Sequence, residues 1–223
     1  MKFYPSEKSL EGRTGWSDKT IRQRLRSMVF RIRGLKAKKI VWPEAWNDPH
    51  IDSPIFIASV DGTHCPICEP TKGYPYSKNP KYMSHKFHRS ALAYEVALSI
   101  FTSNIVWING PFPAGTQDPD IMLKPNGLKS HIPLGKKVVA DSAYKRTALA
   151  SVVSISNAMD TKDVRLFKRR VRSRQEHVFS RMKVFRVLTQ EFRHGESYHC
   201  VVFEAIAVIC QIEMDVELPL FDV

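Results

Sequence analysis

The chain has 223 residues, 43% of them hydrophobic and 25% charged, and this composition predicts a globular protein of one large domain, or one domain with an appendage. Its 34 Lys and Arg residues outnumber 22 Asp and Glu, so the net charge is +12 and a polyanionic partner is expected, nucleic acid first and an acidic membrane surface second. The sequence has neither a signal peptide nor an apolar run long enough to span a bilayer, which argues against a membrane protein and favours an intracellular one.

The positive charge is concentrated in two segments. Residues 1–40 hold 12 basic and 3 acidic side chains, and residues 160–194 hold 11 basic and 4 acidic ones. Residues 195–223 hold six acidic side chains and no Lys or Arg. Both basic segments are expected to contact a polyanion, although solvated helix faces would give the same composition.

Residues 17–35 form the first predicted element, an amphipathic basic helix with Ser17 as its N-cap and Gly34 at its end. We expect it to pack on the rest of the chain with its arginines in water. A helix-turn-helix would need a second helix, and residues 1–16 are expected to be too short to supply one, so little preference for DNA sequence is predicted. The apolar positions of the helix are Ile21, Leu25, Met28, Val29, Ile32 and Leu35.

Residues 1–41 are therefore assigned to an N-terminal basic helical segment and residues 42–223 to the main domain. Four apolar, β-rich runs in the main domain predict strands. They are residues 55–60, which stop at Asp61-Gly62, residues 91–100, residues 105–108, and residues 137–140, which stop at Asp141. Residues 65–84 are rich in Pro, Lys and Tyr and are predicted to form a loop.

Helices are predicted at residues 118–123, within residues 160–190, and at residues 197–214, the last with Val201, Ala205, Val208 and Ile212 along one face. The first three strands are joined by short turns and are expected to be antiparallel, whereas the fourth is reached through a helix and can lie parallel to the first. The predicted fold class is α/β, with a mixed sheet flanked by helices.

Two predicted strands end in a carboxylate followed by a small residue, Asp61 before Gly62 and Asp141 before Ser142. A carboxylate that ends a buried strand lies at a sheet edge, where a ligand can reach it. Asp is also a common first residue of turns.

A third carboxylate, Glu176, lies on the basic face of the helix predicted within residues 160–190. Such a Glu is usually an ion-pair partner. However, a site that cuts phosphodiesters needs carboxylates to hold two divalent ions about 4 Å apart, with cations nearby that bind the flanking phosphates. On this reading Glu176 joins Asp61 and Asp141, and the basic residues of the face bind DNA: Arg165, Arg169, Arg172 and Lys183.

Four ordered segments of the sequence form a pattern: Asp61-Gly62-Thr63-His64, Gly110-Pro111-Phe112-Pro113 with Gln117-Asp118, Val139-Ala140-Asp141-Ser142-Ala143-Tyr144, and Arg174-Gln175-Glu176-His177-Val178-Phe179 followed by Met182-Lys183-Val184-Phe185. These segments resemble motifs of the Harbinger-type transposases of the DDE superfamily. Glu176 follows Asp141 by 35 positions, the spacing that goes with an Asp-Asp-Glu triad. The resemblance runs from about Trp42 to the C-terminus.

The resemblance implies an RNase H-like fold for residues 42–223. It implies a triad of Asp61, Asp141 and Glu176 that binds two Mg²⁺ or Mn²⁺ ions, and cleavage of DNA by water followed by joining of the freed 3′ hydroxyl to target DNA. His64, beside the triad, is a candidate accessory residue. A separate DNA-binding partner protein, a homo-oligomer on DNA and a nuclear location are further expectations.

The sequence departs from the family pattern at three places. The family's His-Asp pair is Gln117-Asp118, the first Gly of its "GDSAY" motif is Ala140, and Ser99 lies where many relatives have an acidic residue. All three triad residues are present, so an active enzyme is expected. The alternative is a catalytically silent DNA-binding or adaptor protein derived from a transposase.

The cysteine pair Cys65-Pro66-Ile67-Cys68 follows His64 and competes with Asp61 as the chemical centre of this segment. Thiol redox chemistry favours such a pair at the start of a helix, whereas Pro66 indicates a loop. A structural zinc site needs about four ligands, and the fourth would have to be His199 or Cys200 from a distant helix. We therefore expect these cysteines to be small packing residues, with a zinc-stabilised interaction module as the remaining alternative.

Overall fold

A computed structural model describes residues 3–47, 54–68 and 79–223 of the chain. Part of the loop predicted at residues 65–84 lies outside these residues. The strands are β1 (Phe56–Pro66), β2 (Met83–Ser84), β3 (Arg89–Ser99), β4 (Ile105–Pro113), β5 (Lys137–Val139) and β6 (Val153–Ser154). The α-helices are α1 (Glu7–Thr14), α2 (Asp18–Arg33), α3 (Lys36–Lys39), α4 (Asp118–Met122), α5 (Lys162–Lys183) and α6 (Glu196–Val216). Short 3₁₀ helices lie at Glu44–Asn47, Pro80–Tyr82, Leu128–His131, Ser142–Tyr144, Thr147–Leu149 and Arg186–Leu188.

The six strands form one mixed sheet. Strand β1 is antiparallel to β3, and β3 is antiparallel to β4 and to the short β2 along its other edge. On the opposite side of β1 lies β5, which is parallel to β1, followed by β6, which is parallel to β5. The predicted antiparallel trio and the parallel fourth strand are confirmed, whereas the two-residue strands β2 and β6 were not predicted, and β2 lies within the loop predicted at residues 65–84.

The predicted ends of two strands are wrong. Strand β1 continues through Asp61-Gly62 to Pro66, so Cys65 lies in a strand and not in the predicted loop. Strand β4 likewise continues through Asn109-Gly110-Pro111 to Pro113. Both pair with the 11-residue strand β3, which supplies hydrogen-bond partners beyond the local turn signals. Pairing with a long neighbouring strand thus overrides weak local propensity.

The sheet is covered on both faces. One face packs against α5 and α6, with a core that includes Leu92, Tyr94 and Phe203. The other face packs against α4 and the 3₁₀ segments that follow it, with a core that includes Ile57, Met122 and Val138. Helix α6 is buried on nearly all sides, not on the single predicted face, because it lies between the sheet and α2.

Helix α2 packs on α6, as expected. Its buried residues are Ile21 and Val29. Ion pairs extend the contact: Arg33 Nε lies 2.6 Å from Oε2 of Glu204, and Lys39 Nζ lies 2.6 Å from Oδ2 of Asp215. Burial alone would raise the pKa of Glu204, but hydrogen bonds from Lys36 and Arg33 hold it below its usual value. The boundary between residues 1–41 and 42–223 stays a prediction.

A second helix precedes α2, which contradicts the prediction that residues 1–16 are too short to supply one. The Ser6 hydroxyl caps α1 at Ser9 N, and Gly15 ends the helix in a left-handed conformation with φ of 71°. Arg22 of α2 forms an ion pair with Glu7 at 2.9 Å. Since α1 buries no residue, hydrophobic periodicity could not reveal it.

Buried polar side chains of helix α5 form hydrogen bonds that hold it against the sheet. Gln175 accepts a hydrogen bond from Ser59 Oγ at 2.9 Å and donates one to Val96 O at 3.0 Å. Arg174 donates to Ile100 O at 2.6 Å, and Lys168 pairs with Asp160 at 3.0 Å. Apolar residues of α5 are buried as well, among them Val171 and Val178. Among the described residues, no helix is long and apolar enough to cross a bilayer.

Candidate active site

Asp61 lies where one edge of β1 is no longer covered by a neighbouring strand. On one side β1 pairs with β3 along its whole length, with Asp61 opposite Val96. On the other side β1 pairs with β5 only as far as Ser59, which is opposite Val139. Asp61 is therefore not the last residue of a strand, as predicted, but lies within β1 beside the end of β5.

Asp141 follows β5 by two residues, just as Asp61 follows Ser59 by two. Because β1 and β5 are parallel, continuing their register carries Asp141 alongside Asp61. Both carboxylates accept a hydrogen bond from a nearby backbone amide: Asp61 Oδ1 from Gly62 N at 2.7 Å and Asp141 Oδ1 from Ala143 N at 2.8 Å. The structure thus places two of the three predicted catalytic residues side by side.

A further carboxylate, Asp118, approaches the same place from the first residue of α4. A Cβ atom at Gly62 would lie 2.7 Å from Cγ of Asp118 and 3.0 Å from its Oδ2. The carboxylate therefore occupies the space that a side chain at position 62 would fill. In the sequence, Asp118 is indicated only as part of a motif, and the glycine after Asp61 is the signal that a neighbouring group approaches β1 closely.

The electrostatics of this cluster are unfavourable for three ionised carboxylates. Burial raises the pKa of Asp61 to about 6, and the charges of Asp141 and Asp118 act in the same direction. The pKa of Asp118 is also raised, again mainly by burial. Lys86 opposes both shifts. It extends from the turn between β2 and β3, and its Nζ lies 3.4 Å from Gly62 O.

Beneath the cluster lie two buried polar groups, Glu95 and Tyr144, each 1% exposed. Glu95 pairs with Gly62 across β1 and β3, and Trp107 Nε1 donates to its Oε1 at 3.2 Å. Burial raises the pKa of Glu95 to about 8. Within the described part of the chain, Glu95 Oε2 and the Tyr144 hydroxyl have no hydrogen-bond partner. Sequence reasoning missed Glu95, since strand pairing alone brings it here.

Glu176 lies on α5 at the level of this cluster but does not contact it directly. Its neighbour Gln175 is bonded to Ser59, two residues before Asp61, so this turn of α5 crosses β1 next to the site. The Glu176 side chain is exposed. Within residues 3–47, 54–68 and 79–223 it forms no hydrogen bond or ion pair.

The other predicted residues lie along α5, apart from His64 in β1. Arg165, Arg169 and Arg172 are exposed on the same face of α5 as Glu176. Lys183 is half-buried, and its charge acts on His64 in β1. Burial lowers the pKa of His64 to about 4, and its Nδ1 is 2.8 Å from Ser84 Oγ, so this imidazole is neutral and held by the fold near neutral pH.

Comparison with models of known protein families identifies the family of the chain. The model that describes DDE superfamily endonucleases matches residues 60–211, which is more than half of the chain. The chain belongs to the DDE superfamily endonuclease family. The match begins one residue before Asp61 and includes Asp118, Asp141 and Glu176. No curated protein and no solved structure gave a significant match.

DDE endonucleases generally use divalent metal ions. Oxygen ligands suit Mg²⁺ and Mn²⁺, and Asp61 and Asp141, which are close enough for the charge of Asp141 to raise the pKa of Asp61, supply them. The donor chemistry therefore fits such an ion. In the arrangement seen, no three His, Cys, Asp or Glu side chains of the described residues are grouped closely enough to hold one. Asp61 and Asp141 would turn from their backbone partners to do so.

The cysteines of this DDE domain are distributed through the fold. None of the four, all of which the structure describes, forms a disulfide. Cys65 is 1% exposed within β1, and burial raises the pKa of its thiol to about 12. Cys68 is exposed, and the pKa of its thiol is raised. His199, one of the two candidate fourth zinc ligands, is buried and lies 2.7 Å from the Tyr94 hydroxyl.

Proposed function

We propose that the chain is the catalytic domain of a Harbinger-type transposase with an RNase H-like fold, which cuts DNA with the help of two Mg²⁺ or Mn²⁺ ions. The observation that carries the proposal is the placement of Asp61 and Asp141 side by side at an uncovered edge of the sheet, within a chain of the DDE endonuclease family. The spacing of 35 residues between Asp141 and Glu176 supports the same assignment.

In this proposal Asp61, Asp141 and Glu176 are the ligands of the metal ions. When bound, two such ions supply an activated water and stabilise the leaving oxygen of the phosphodiester. The exposed position of Glu176 on the helical turn that crosses β1 leaves its carboxylate free to turn toward the two aspartates. His64 serves as an accessory residue that orients its surroundings, because its neutral ring is not a general acid at physiological pH.

DNA would be held by cations on two sides of the carboxylates. Arg165, Arg169, Arg172 and Lys183 line the α5 side. Lys86 lies on the β2–β3 turn beside Gly62 and is an additional candidate, which no sequence pattern indicates. Contacts of this kind position a duplex through its phosphates without reading its sequence.

The finer expectations of the resemblance belong to the same proposal. After hydrolysis the freed 3′ hydroxyl would be joined to target DNA. A separate DNA-binding protein and a second copy of the chain on DNA are the proposed partners, and the nucleus is the proposed location.

The second candidate is a silent DNA-binding relative of a transposase. It is favoured by one observation: Glu176 contacts neither aspartate among the described residues. A silent protein would keep the basic surface and would bind DNA without cutting it.

Incubation of purified protein with supercoiled plasmid separates the two candidates. We expect nicked or linear DNA with Mg²⁺ or Mn²⁺ and none with EDTA. Binding that is retained under all three conditions without any cutting would establish the silent protein. Cutting that continues undiminished in EDTA would contradict the metal-dependent mechanism.

A further inference from the structure

We propose that a groove between α1 and α2 is a docking site for an amphipathic helix of a partner protein, one that carries an apolar stripe flanked by acidic side chains. The proposal concerns the N-terminal helices and does not depend on metal binding or on the cutting of DNA. Helix α2 packs on α6 along one side, and with α1 it forms an open groove. The residues of this α1–α2 groove that carry the argument are Trp16, Arg24, Leu25, Met28, Arg31 and Ile32.

Apolar residues follow one another along α2 at the spacing of a coiled coil. The five that recur at alternating intervals of four and three residues are Ile21, Leu25, Met28, Ile32 and Leu35. Positions spaced in this way form a single stripe on a helix, and in coiled coils a second helix covers such a stripe. Gly34 and Leu35 keep right-handed helical backbone angles, so the stripe continues past the last residue of α2.

Much of this stripe is uncovered. Its first residue, Ile21, is buried, whereas Leu25, Met28 and Leu35 are 42%, 59% and 41% exposed. Trp16, at the wall of the α1–α2 groove, is 44% exposed. Single apolar residues are ordinary on protein surfaces, but a contiguous patch of large apolar side chains marks an interaction site. No element within the described part of the chain covers these side chains, which indicates a partner.

The charged side chains beside the stripe indicate the chemistry of that partner. Arg24 and Arg31 line the α1–α2 groove, and none of its described lining residues is acidic. Arg33 of the same helix pairs with Glu204, whereas Arg24 and Arg31 form no ion pair with any residue that the structure describes. Cζ of Arg24 lies 4.2 Å from the centre of the Trp16 ring, so its charge is held at the groove. Unpaired arginines beside an apolar stripe favour acidic side chains on the helix that covers it.

Two other occupants fit the α1–α2 groove less well. The same helix of a second copy would bring arginines against arginines, and like charges across a pair of helices are unfavourable. DNA would satisfy Arg24 and Arg31, but its phosphates would leave the apolar area of Leu25 and Met28 without an apolar partner. An acidic amphipathic helix satisfies both the charges and the apolar stripe.

The test uses a fluorescently labelled designed peptide as the probe, and its binding to the full chain is measured by fluorescence anisotropy. The acidic peptide is an amphipathic helix with Leu in its apolar stripe and Glu at the flanking positions, and it is kept below the concentration at which it self-associates. The basic peptide has Lys in place of each Glu. Wild type should bind the acidic peptide at least about tenfold more tightly than the basic one. No binding of the acidic peptide would overturn the proposal.

Substitutions in the apolar stripe test the contact itself. Leu25→Ser and Met28→Ser should each weaken binding of the acidic peptide by about tenfold or more, because each removes apolar area at the centre of the contact. Phe30→Ser is the matched control: Phe30 is 52% exposed on α2 but faces Tyr198 and not the groove, so binding should stay within about twofold of wild type. Thermal unfolding checks that each variant is folded. Equal losses in all three variants would overturn the proposal.

Reversal of the groove's charge gives a second test, which does not remove apolar area. Arg24→Glu with Arg31→Glu should bind the acidic peptide about tenfold or more weakly and should prefer the basic peptide. Lys19→Glu with Lys38→Glu is the matched control, because it changes the net charge equally at exposed positions that do not line the groove, and it should keep the preference of wild type. If both double variants change their preference equally, only the net charge attracts the peptide and the proposal is wrong.

Two further outcomes would assign the α1–α2 groove to another occupant and overturn the proposal. One is a dimer of wild type in sedimentation that Met28→Ser abolishes, which would show that a second copy covers the stripe. The other is loss of affinity for random duplex DNA in the Arg24→Glu, Arg31→Glu variant with unchanged binding of the acidic peptide. None of these measurements involves a divalent ion or the cutting of DNA, so their outcome is separate from that of the proposed function.

Discussion

The buried carboxyl of Glu95 is expected to lower the free energy of unfolding of the metal-free protein as the pH rises. Burial raises the pKa of this carboxyl to about 8, from an ordinary value of 4.5. The unfolded chain therefore releases this proton near pH 4.5, whereas the folded chain keeps it until about pH 8. Stability from Glu95 is complete below the unfolded pKa and is lost as the pH rises through this window. Asp61 behaves in the same way between 3.8 and about 6.

Replacement of Glu95 by Gln should remove most of this pH dependence. Urea unfolding in EDTA should show Glu95→Gln near wild type at pH 5 and more stable at pH 8.5, by on the order of 3 kcal/mol. Glu11→Gln, at an exposed position on α1, is the control and should follow wild type at both pH values. Parallel stability curves for wild type and Glu95→Gln would show that the buried carboxyl is not protonated in the fold.

The residues of the site differ in how far the sequence could predict them. Asp61, Asp141 and Glu176 are indicated by local motifs and by their spacing, and the structure brings the first two together. Asp118 lies over Gly62, and Glu95 is brought next to Gly62 by the pairing of β3 with β1. Neither relation follows from neighbouring residues in the chain, so sequence reasoning could not place them.

Among the elements, the helices with an apolar face could be predicted from the sequence, whereas the ends of the strands could not. The bounds of α2 and α6 follow from apolar periodicity and differ little from those predicted. The ends of β1 and β4 do not, because β3 extends both strands past their turn signals. Helix α1 has no apolar face and is held by its caps and by the ion pair of Arg22 with Glu7. The prediction of weak sequence preference on DNA therefore loses one of its premises and remains to be measured.

The basic face of α5 gives a test at this scale. Alanine at Arg165, Arg169, Arg172 or Lys183 should weaken DNA binding and reduce the slope of log affinity against log salt by about 0.9 for each lost phosphate contact. The rate of cutting at saturating DNA should change much less. Both quantities come from filter binding and cleavage assays at several salt concentrations.

Arg170→Ala is the matched control for these variants. Its guanidinium lies on the same helix but donates a hydrogen bond to Asp222 O at 2.7 Å, so it has a partner within the fold. The substitution removes the same charge and should leave the salt slope unchanged. If the Arg169 variant and the Arg170 variant lose equal affinity, only the total charge of the helix matters and the proposed DNA-binding face is wrong.

At the scale of the whole molecule, the mixed sheet, its parallel β5 and the covering helices agree with the α/β architecture expected from the order of the elements. The order of the elements does not predict that the last helix is buried on nearly all sides. Helix α6 lies between the sheet and α2, with His199, Glu204 and Gln211 all buried. Glu204 forms ion pairs with Arg33 and Lys36, and these pairs join α2 and α3 to α6.

The fold brings Asp61, Asp141 and the α5 turn that carries Glu176 to one end of the sheet, and the exposed arginines of α5 are proposed to hold DNA beside them. The most direct test of this account measures cutting of plasmid DNA in Mn²⁺ by wild type, Asp61→Asn, Asp141→Asn, Glu176→Gln and the control Asp120→Asn, each at saturating DNA. We predict that the three triad variants bind DNA and unfold like wild type in EDTA, or at a higher temperature, yet cut at least about a hundredfold more slowly, because each loses a metal-ligand charge. Asp120→Asn should cut at the wild-type rate. Cutting at the wild-type rate by all three triad variants would contradict the account.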